Sequence, residues 1–456
     1  MPVQESIVET TEYRLLLVLP ESRKILAISD VDGYRLPSMT IPQWTRPAEQ
    51  LREAIHAVWK LRVLILDFFH GSPMCAVAEV LVPGQPMGLK AVSLEQLQPP
   101  DLSEHQLAQI ASMLAGVSNA SGPFSRVGWI DEAIQWLEAE TGRKLSSKRG
   151  IEQYNAGGSF ALVRFRMEDD WDYWLKATGR PNAHELSITA LLSKLCGSYL
   201  PELISSKPEW NAWLMSGEAT CVREVPTAPF QLFTLLEDAV ESMATLQIKT
   251  QGHNLDLLQA GAFDQGMEVF RTHAAELFDY LEEAMSLQTS TKVPRLEKKR
   301  IQELRAVFEE VCQRVEHLGI CETIVHGDMN RGNILTGGGH CQFIDWSEAY
   351  LGHPLITLQH LLLLNRVENS EIRDLINLLL KQRYLGIWGE TCDPDAIDEG
   401  FVYMPILAAA STLYGRGDWL TSPRRDDQCR RSYARSLARH MDRAAREPSL
   451  VEELCQ

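Results

Sequence analysis

The chain has 456 residues, 45% hydrophobic and 23% charged, and its 44 Lys and Arg against 61 Asp and Glu give a net charge of −17. That length exceeds one compact core of roughly 100–200 residues, so two or more domains are expected, and the apolar content excludes disorder as the main state. The acidity excludes a general nucleic-acid binder, which needs a basic face to neutralise phosphates. The nine cysteines are odd in number and scattered, without the spacing of a zinc knuckle, and read as reduced thiols of a cytoplasmic protein. The opening residues carry neither a basic nor an apolar stretch, and no run approaches the ~20 apolar residues that cross a bilayer, so neither secretion nor a membrane partner is expected.

The runs Tyr13–Leu19, Lys24–Ser29 and Arg62–Asp67 are β-rich, and Arg46-Pro47 opens a helix in which Leu51, Ile55, Val58 and Trp59 recur at helical spacing. A small α/β module results. Between Pro83 and Phe124 lie Pro99-Pro100, a short helix around Leu107–Leu114, and a cluster of turn residues from Gly116 to Pro123, which places a domain boundary near 120–125. An amphipathic helix (Trp129–Thr141) follows, then five β-like segments to about Met215, then a mainly helical remainder. The expected division is 1–122, 123–217 and 218–456: a small α/β domain, a small sheet lobe and a larger helical lobe, α+β overall.

Chemistry concentrates in Ile324-Val325-His326-Gly327-Asp328-Met329-Asn330-Arg331-Gly332-Asn333-Ile334-Leu335 and in Phe343-Ile344-Asp345-Trp346. The apolar pieces flank Gly337-Gly338-Gly339, which reads as a hairpin turn bringing Asn333 and Asp345 together. Phosphoryl transfer needs oxygen ligands for Mg²⁺ and a carboxylate that orients the attacking hydroxyl. Asp328 suits the carboxylate role; the Asn333 amide oxygen and the Asp345 carboxylate suit the metal. His326, between apolar neighbours, is expected to be a buried organiser of the loop.

This stretch resembles the catalytic loop of the aminoglycoside phosphotransferase and choline kinase superfamily, relatives of the protein kinases. The resemblance covers about residues 125–415 and implies a bilobal protein-kinase-like fold binding ATP and Mg²⁺. It departs from the pattern at Gly352-His353-Pro354, where Gly-Asp-Pro and a downstream Asp are common, and at Arg331, where Pro is frequent. These changes bear on loop packing, since all three residues expected to handle metal and hydroxyl are present.

The resemblance also implies a nucleotide half upstream. Asn155-Ala156-Gly157-Gly158-Ser159 lies between two strand-like runs, and its Gly157, Gly158 and Ser159 would bring backbone N–H groups to phosphates. Lys176 stands on a strand, and Glu185 shares the inner face of a helix with Ile188, so the two would pair to hold the α- and β-phosphates. The segment Trp213–Gly217, with Met215, looks like the strand end and hinge where adenine bonds the backbone.

The amino-terminal module, with Gly33 ahead of Glu49 and Arg52-Glu53-Ala54 on its helix, looks like a Nudix domain in which Ala57-Val58 stand where paired glutamates bind metal and the glycine spacing departs from the pattern. A non-catalytic accessory domain is therefore expected, serving dimerisation, substrate contact or stability; a homodimer would form through it. The acceptor is expected to be a small-molecule hydroxyl compound: an aminoglycoside or aminocyclitol, a choline-like amine, or a sugar. Acidity favours a cationic one. The arginine-rich stretch 416–446 is either a solvated helix face or meets an anionic group. A protein kinase is disfavoured, for there is no D-F-G, no A-P-E and no activation loop between Asp345 and Pro354. A nucleotide-binding pseudokinase or scaffold is the alternative from another class.

Overall fold

Successive side chains of a strand point to opposite faces, so an unbroken apolar run marks a strand buried on both. Leu15, Leu16, Leu17 and Val18 are such a run, each fully buried. The computed structural model describes residues 9–31, 33–43, 46–71, 73–82, 86, 88–98, 102–115, 122–217, 220–221, 228–337, 339–365, 367–421 and 423–455. The strands β1 (Thr10–Val18), β2 (Ile25–Asp30), β3 (Gly33–Arg35), β4 (Ser38–Pro42), β5 (Arg62–Phe69), β6 (Met74–Val82) and β7 (Leu89–Val92) form one sheet. Its order is β3-β2-β1-β6-β5, with β4 beside β1 and β7 beside β2. β1 runs parallel to β6, setting Leu15 opposite Ala76 and Leu17 opposite Ala78.

Helix α1 (Pro47–Trp59), opened by a proline whose fixed φ suits the first helical position, covers one face through Ala48, Leu51 and Ile55. Val58 lies in the last turn and is 58% exposed, whereas Trp59, four residues after Ile55, is partly buried and packs against the same core. The opposite face carries Leu16, Val18, Leu64, Leu66 and Val77, and it shares a core with α2 (Glu104–Leu114), α3 (Trp129–Thr141) and a second sheet. That sheet contains β8 (Ile151–Gly157), β9 (Phe160–Arg166), β10 (Asp172–Ala177), β11 (Leu203–Lys207) and β12 (Ala212–Ser216) in the antiparallel order β11-β12-β10-β9-β8. Ile151, Val163, Phe165, Leu175 and Leu214 are its contribution to the common core.

Polar contacts lock the same junction. The Arg52 guanidinium donates to the carbonyls of Val63 at 3.1 Å, Gln153 at 2.8 Å and Ile151 at 2.9 Å. The Gln153 amide accepts from Ile65 N–H and donates to Ile65 C=O, each at 2.8 Å, like one rung of a β-ladder. The boundary expected near 122 therefore lies inside a single unit, Met1–Leu186 with Glu202–Glu218. The physical reason is the double-faced burial of β1: one of its faces needs the second sheet as cover.

The second unit is Ser187–Pro201 with Ala219–Gln456. It takes in α4 (Glu185–Cys196) beyond its first two residues, then β13 (Thr220–Cys221), α5 (Pro229–Lys249), α6 (Asn254–Gln259), β14 (Phe263–Asp264), α7 (Met267–Ser286) and α8 (Lys298–His317). There follow β15 (Thr323–Val325), β16 (Ile334–Gly337), β17 (His340–Phe343), β18 (Tyr350–Gly352), α9 (Leu355–Leu364), α10 (Ser370–Trp388), α11 (Pro394–Tyr414), α12 (Asp418–Thr421), α13 (Gln428–Ala444) and α14 (Pro448–Cys455). Two small sheets, ordered β13-β16-β17 and β14-β18-β15, sit among these helices, whose core includes Phe270, Phe308, Trp346, Tyr384, Trp388 and Tyr403. Sheets thus dominate the first unit and helices the second, an α+β architecture. Among the described residues no helix is long and apolar enough to cross a membrane.

The arginine row on α13 and just before it meets an anionic group of this chain. Arg425 and Arg431 reach Glu283 at 3.0 and 3.1 Å, and Arg435 donates to the Ala284 carbonyl at 3.1 Å. They gather at the carboxyl end of α7, where unsatisfied carbonyls and the helix dipole favour cations.

His353, between β18 and α9, is 1% exposed, and neither ring nitrogen has a hydrogen-bond partner among the described residues. Burial lowers its pKa to about 3, and burial with the neighbouring His326 lowers that of His360 to about 4. Both lie below the unfolded value of about 6.5, so below that pH the unfolded chain binds more protons and stability falls as pH falls. Each site is expected to withdraw about 2 kcal/mol between pH 6.5 and pH 5 and nothing above pH 7. His353→Leu should flatten about half of that slope and be neutral or stabilising at pH 7, since it removes two unbonded polar atoms from the interior. Urea unfolding midpoints of both proteins at pH 7.5 and pH 5 measure this; equal slopes would disprove it.

Candidate active site

β15 delivers the loop that follows it from a rigid base: Ile324 and Val325 are fully buried, and the Gln247 amide donates to the carbonyls of Ile324 at 3.1 Å and Pro354 at 3.3 Å. His326 comes next, 1% exposed, its ring 4.6 Å from that of Trp346. Its Nε2 donates to the Ile344 carbonyl at 2.9 Å, and its Nδ1 accepts the Asp328 N–H at 3.2 Å. That pattern requires the neutral ring with hydrogen on Nε2. One imidazole thus ties the backbone of Asp328 to the residue preceding Asp345, the organising role expected of it. Gly327 must lack a side chain here, because a methyl group on it would come within 2.4 Å of the Glu348 carbonyl oxygen.

Asn333 closes the arrangement. Its Nδ2 donates to the Asp328 carbonyl at 2.8 Å and to Asp328 Oδ2 at 3.0 Å, while its own carbonyl accepts Ile344 N–H at 3.1 Å. β16 and β17 form the hairpin, with Ile334 opposite Phe343 and Gly337 opposite His340; Gly338 lies outside the described residues. Asp345 follows in the left-handed region, φ 66°, and Ser347 Oγ donates to its Oδ1 at 3.2 Å. Asp328, Asn333 and Asp345 are therefore gathered in one place.

With its nitrogen committed to Asp328, the Asn333 amide presents oxygen on its other side, and Asp345 adds carboxylate oxygen. Two oxygen donors suit Mg²⁺, which binds through few protein ligands and completes its shell with phosphates and water. Among the described residues no group of three or more His, Cys, Asp or Glu is set to hold a metal ion.

Two contributors have no local signature. Asn365, at the end of α9 and 6% exposed, accepts Arg331 N–H at 3.0 Å and donates to the Met329 carbonyl at 2.8 Å, so it splints the loop from below. Glu348 has its carboxyl pushed above the usual range, first by burial of that group and then by the charges of Asp328 and Asp345, with Arg416 opposing. The Arg416 guanidinium donates to the Ser347 carbonyl at 3.3 Å.

In the first unit, Leu175 and Ala177 point into the core, so Lys176 between them points to the other face. Lys176 Nζ lies 2.5 Å from Glu185 Oε1 and 5.8 Å from the centre of the Trp213 ring; Glu185 is 1% exposed. Gly157 pairs with Phe160, leaving Gly158-Ser159 as the two-residue turn between β8 and β9. Met215 lies within β12, opposite Trp174 and Leu203, and its side chain packs with Leu186 and Trp213. The next two N–H groups, of Ser216 and Gly217, donate to Glu202 and Asp172 carbonyls, each at 3.0 Å. The polar side of α1, with Glu49, Arg52, Glu53 and His56, borders a cavity of about 310 Å³ against β8, where Arg52 is engaged with the three carbonyls named above.

A family model described as the RIO domain matches residues 283–357, the stretch that holds Asp328, Asn333 and Asp345. No curated protein matches the chain significantly. Among solved structures, the chain is similar to a choline/ethanolamine kinase family protein from Mesorhizobium loti, with 15% identity, 72% of this chain and 98% of that one covered, and a TM-score of 0.43. It is similar to choline kinase from Cryptosporidium parvum at 12% identity, covering 72% and 100%, TM-score 0.47. It is also similar to a macrolide 2′-phosphotransferase from Brachybacterium faecium at 16% identity, covering 68% and 97%, TM-score 0.41.

Proposed function

We propose that this protein is an ATP- and Mg²⁺-dependent phosphotransferase that phosphorylates the hydroxyl of a small molecule. The observation that carries this reading is the hydrogen-bonded pair of Asp328 and Asn333, with Ile344, the residue before Asp345, tied to the same loop through His326. Asp328 orients the acceptor hydroxyl and takes its proton as the oxygen bonds the γ-phosphorus and the β–γ bridging P–O bond breaks. The Asn333 amide holds one Asp328 oxygen and so aims the other. Lys176, fixed by Glu185, binds the α- and β-phosphates. Mg²⁺, when held by Asn333 and Asp345, neutralises phosphate charge. The charges of Asp328 and Asp345 both bear on the Glu348 carboxyl, and a site with acidic groups so close together favours an acceptor carrying positive charge near its hydroxyl, such as an aminocyclitol or a choline-like amine.

The test is ADP formation from ATP and Mg²⁺ over a panel of hydroxylated amines, aminoglycosides, sugars and protein substrates. Acceptor-dependent ADP release with one of the small molecules is the expected result. Nucleotide binding without turnover on any panel member would instead make the chain a nucleotide-binding scaffold.

A further inference from the structure

Tyr414-Gly415-Arg416-Gly417 turns the chain at the end of α11, with the Gly417 N–H donating to the Tyr414 carbonyl at 2.8 Å. Gly415 has φ 53° and ψ −119°, the first central position of a type II′ turn, and Arg416 in the second keeps a negative φ. Turning over the peptide between them would give a type I′ turn, with positive φ at Arg416 and its side chain on another course. The Gly415 carbonyl decides between the two, and Gln265 Nε2 donates to it at 2.6 Å.

Gln265 is the last member of a buried chain. Ser411 Oγ lies 2.6 Å from Gln265 Oε1 and 2.8 Å from Tyr350 Oη, and Tyr350 Oη lies 3.0 Å from His360 Nε2. Each contact needs one proton, and a carbonyl has none to give, so the order is fixed from the Gly415 end. Gln265 donates to Gly415 and accepts from Ser411; Ser411, its one proton spent, accepts from Tyr350; Tyr350 accepts from His360. His360 therefore carries hydrogen on Nε2.

Beyond the turn, the Arg416 guanidinium lies 5.1 Å from the centre of the Phe263 ring and donates to the Ser347 carbonyl at 3.3 Å, while Ser347 Oγ donates to Asp345 Oδ1 at 3.2 Å. Groups that hold a metal ligand from behind set its orientation and with it the affinity for the metal. We propose that Arg416 is a positioning residue for Asp345, aimed by the chain His360–Tyr350–Ser411–Gln265 through the Gly415 carbonyl. This rests on the phosphotransferase reading above, in which Asp345 holds Mg²⁺. Arg416 acts through Ser347, and the chain acts through Arg416.

The experiment is a Mg²⁺ titration of the binding of a ribose-labelled fluorescent ATP analogue to the full chain, repeated in EDTA, with thermal unfolding alongside. Arg416→Ala should raise the Mg²⁺ concentration at half-saturation about tenfold while affinity in EDTA stays within about twofold of wild type. Gln265→Met keeps the volume but cannot hold the Gly415 carbonyl, and should shift the midpoint the same way by about threefold. The double variant should match Arg416→Ala alone, because Gln265 acts through the arginine. Tyr403→Phe, also on α11, loses its bond to Glu399 at 2.9 Å outside the chain, and should leave the midpoint within about twofold of wild type even where Tm falls. Should Gln265→Met not fold, Tyr350→Phe, which cuts the chain between His360 and Ser411, takes its place with the same direction and the same non-additivity expected. An unchanged midpoint in Arg416→Ala, or an equal shift in Tyr403→Phe, overturns the positioning role; additive shifts in the double variant overturn the part of the chain in it. Nucleotide binding by the wild-type chain that is absent, or indifferent to Mg²⁺, overturns the phosphotransferase reading and the positioning role with it.

Discussion

Asp328→Asn is expected to reduce turnover by roughly 10²–10⁴-fold while nucleotide affinity stays within about twofold. The substitution is nearly isosteric, and the new side chain still offers an oxygen to the Asn333 amide, which donates to Asp328 Oδ2 at 3.0 Å, so the loop keeps its hydrogen bonds. What changes is the second position of the carboxylate. An NH₂ group there donates to the acceptor hydroxyl where an oxygen would receive its proton, and the fixed negative charge is gone. Single-turnover kinetics with saturating acceptor, paired with nucleotide titration, separate the two quantities. Retained turnover would remove Asp328 from the chemistry, and lost nucleotide binding would make its role structural.

Glu185→Gln should cost about 3 kcal/mol of stability, the lower part of the range for breaking a buried ion pair, because the Lys176 side chain keeps 16% exposure while Glu185 has 1%. The more telling variant replaces both members. Lys176→Met with Glu185→Leu removes two desolvated charges together, so much of the lost stability should return. Nucleotide affinity should not return, because the ammonium group proposed to meet the phosphates is absent. Urea unfolding and nucleotide titration of the single and double variants give the four numbers needed. Recovery of both properties in the double variant would mean that the pair serves packing alone.

How much of this was legible depended on distance along the chain. Asp328, Asn333 and Asp345 lie within one loop and hairpin, where spacing and turn glycines report geometry directly, and His326 could be read from its apolar neighbours. Asn365, which donates to Met329, and Gln247, which holds Ile324, come from helices tens of residues away and follow ordinary amphipathic patterns. Their roles appear only once those helices are placed. The arginines before and along α13 read equally well as a solvated face until the end of α7 stood opposite them. Residues 122 and 123 both fall in the unit Met1–Leu186 with Glu202–Glu218, because the apolar run of β1 has no polar alternation and so demands cover on both faces.

That demand also sets an order of events during synthesis. The face carrying Leu16, Val18, Leu64, Leu66 and Val77 is complete once β6 has left the ribosome, yet its cover includes Leu214 on β12, 137 residues after Val77. At about 5–20 residues per second, that apolar face waits on the order of ten seconds for its partner. The amino-terminal sheet therefore begins with one apolar face open to water, and that face is covered only when β8–β12 arrive.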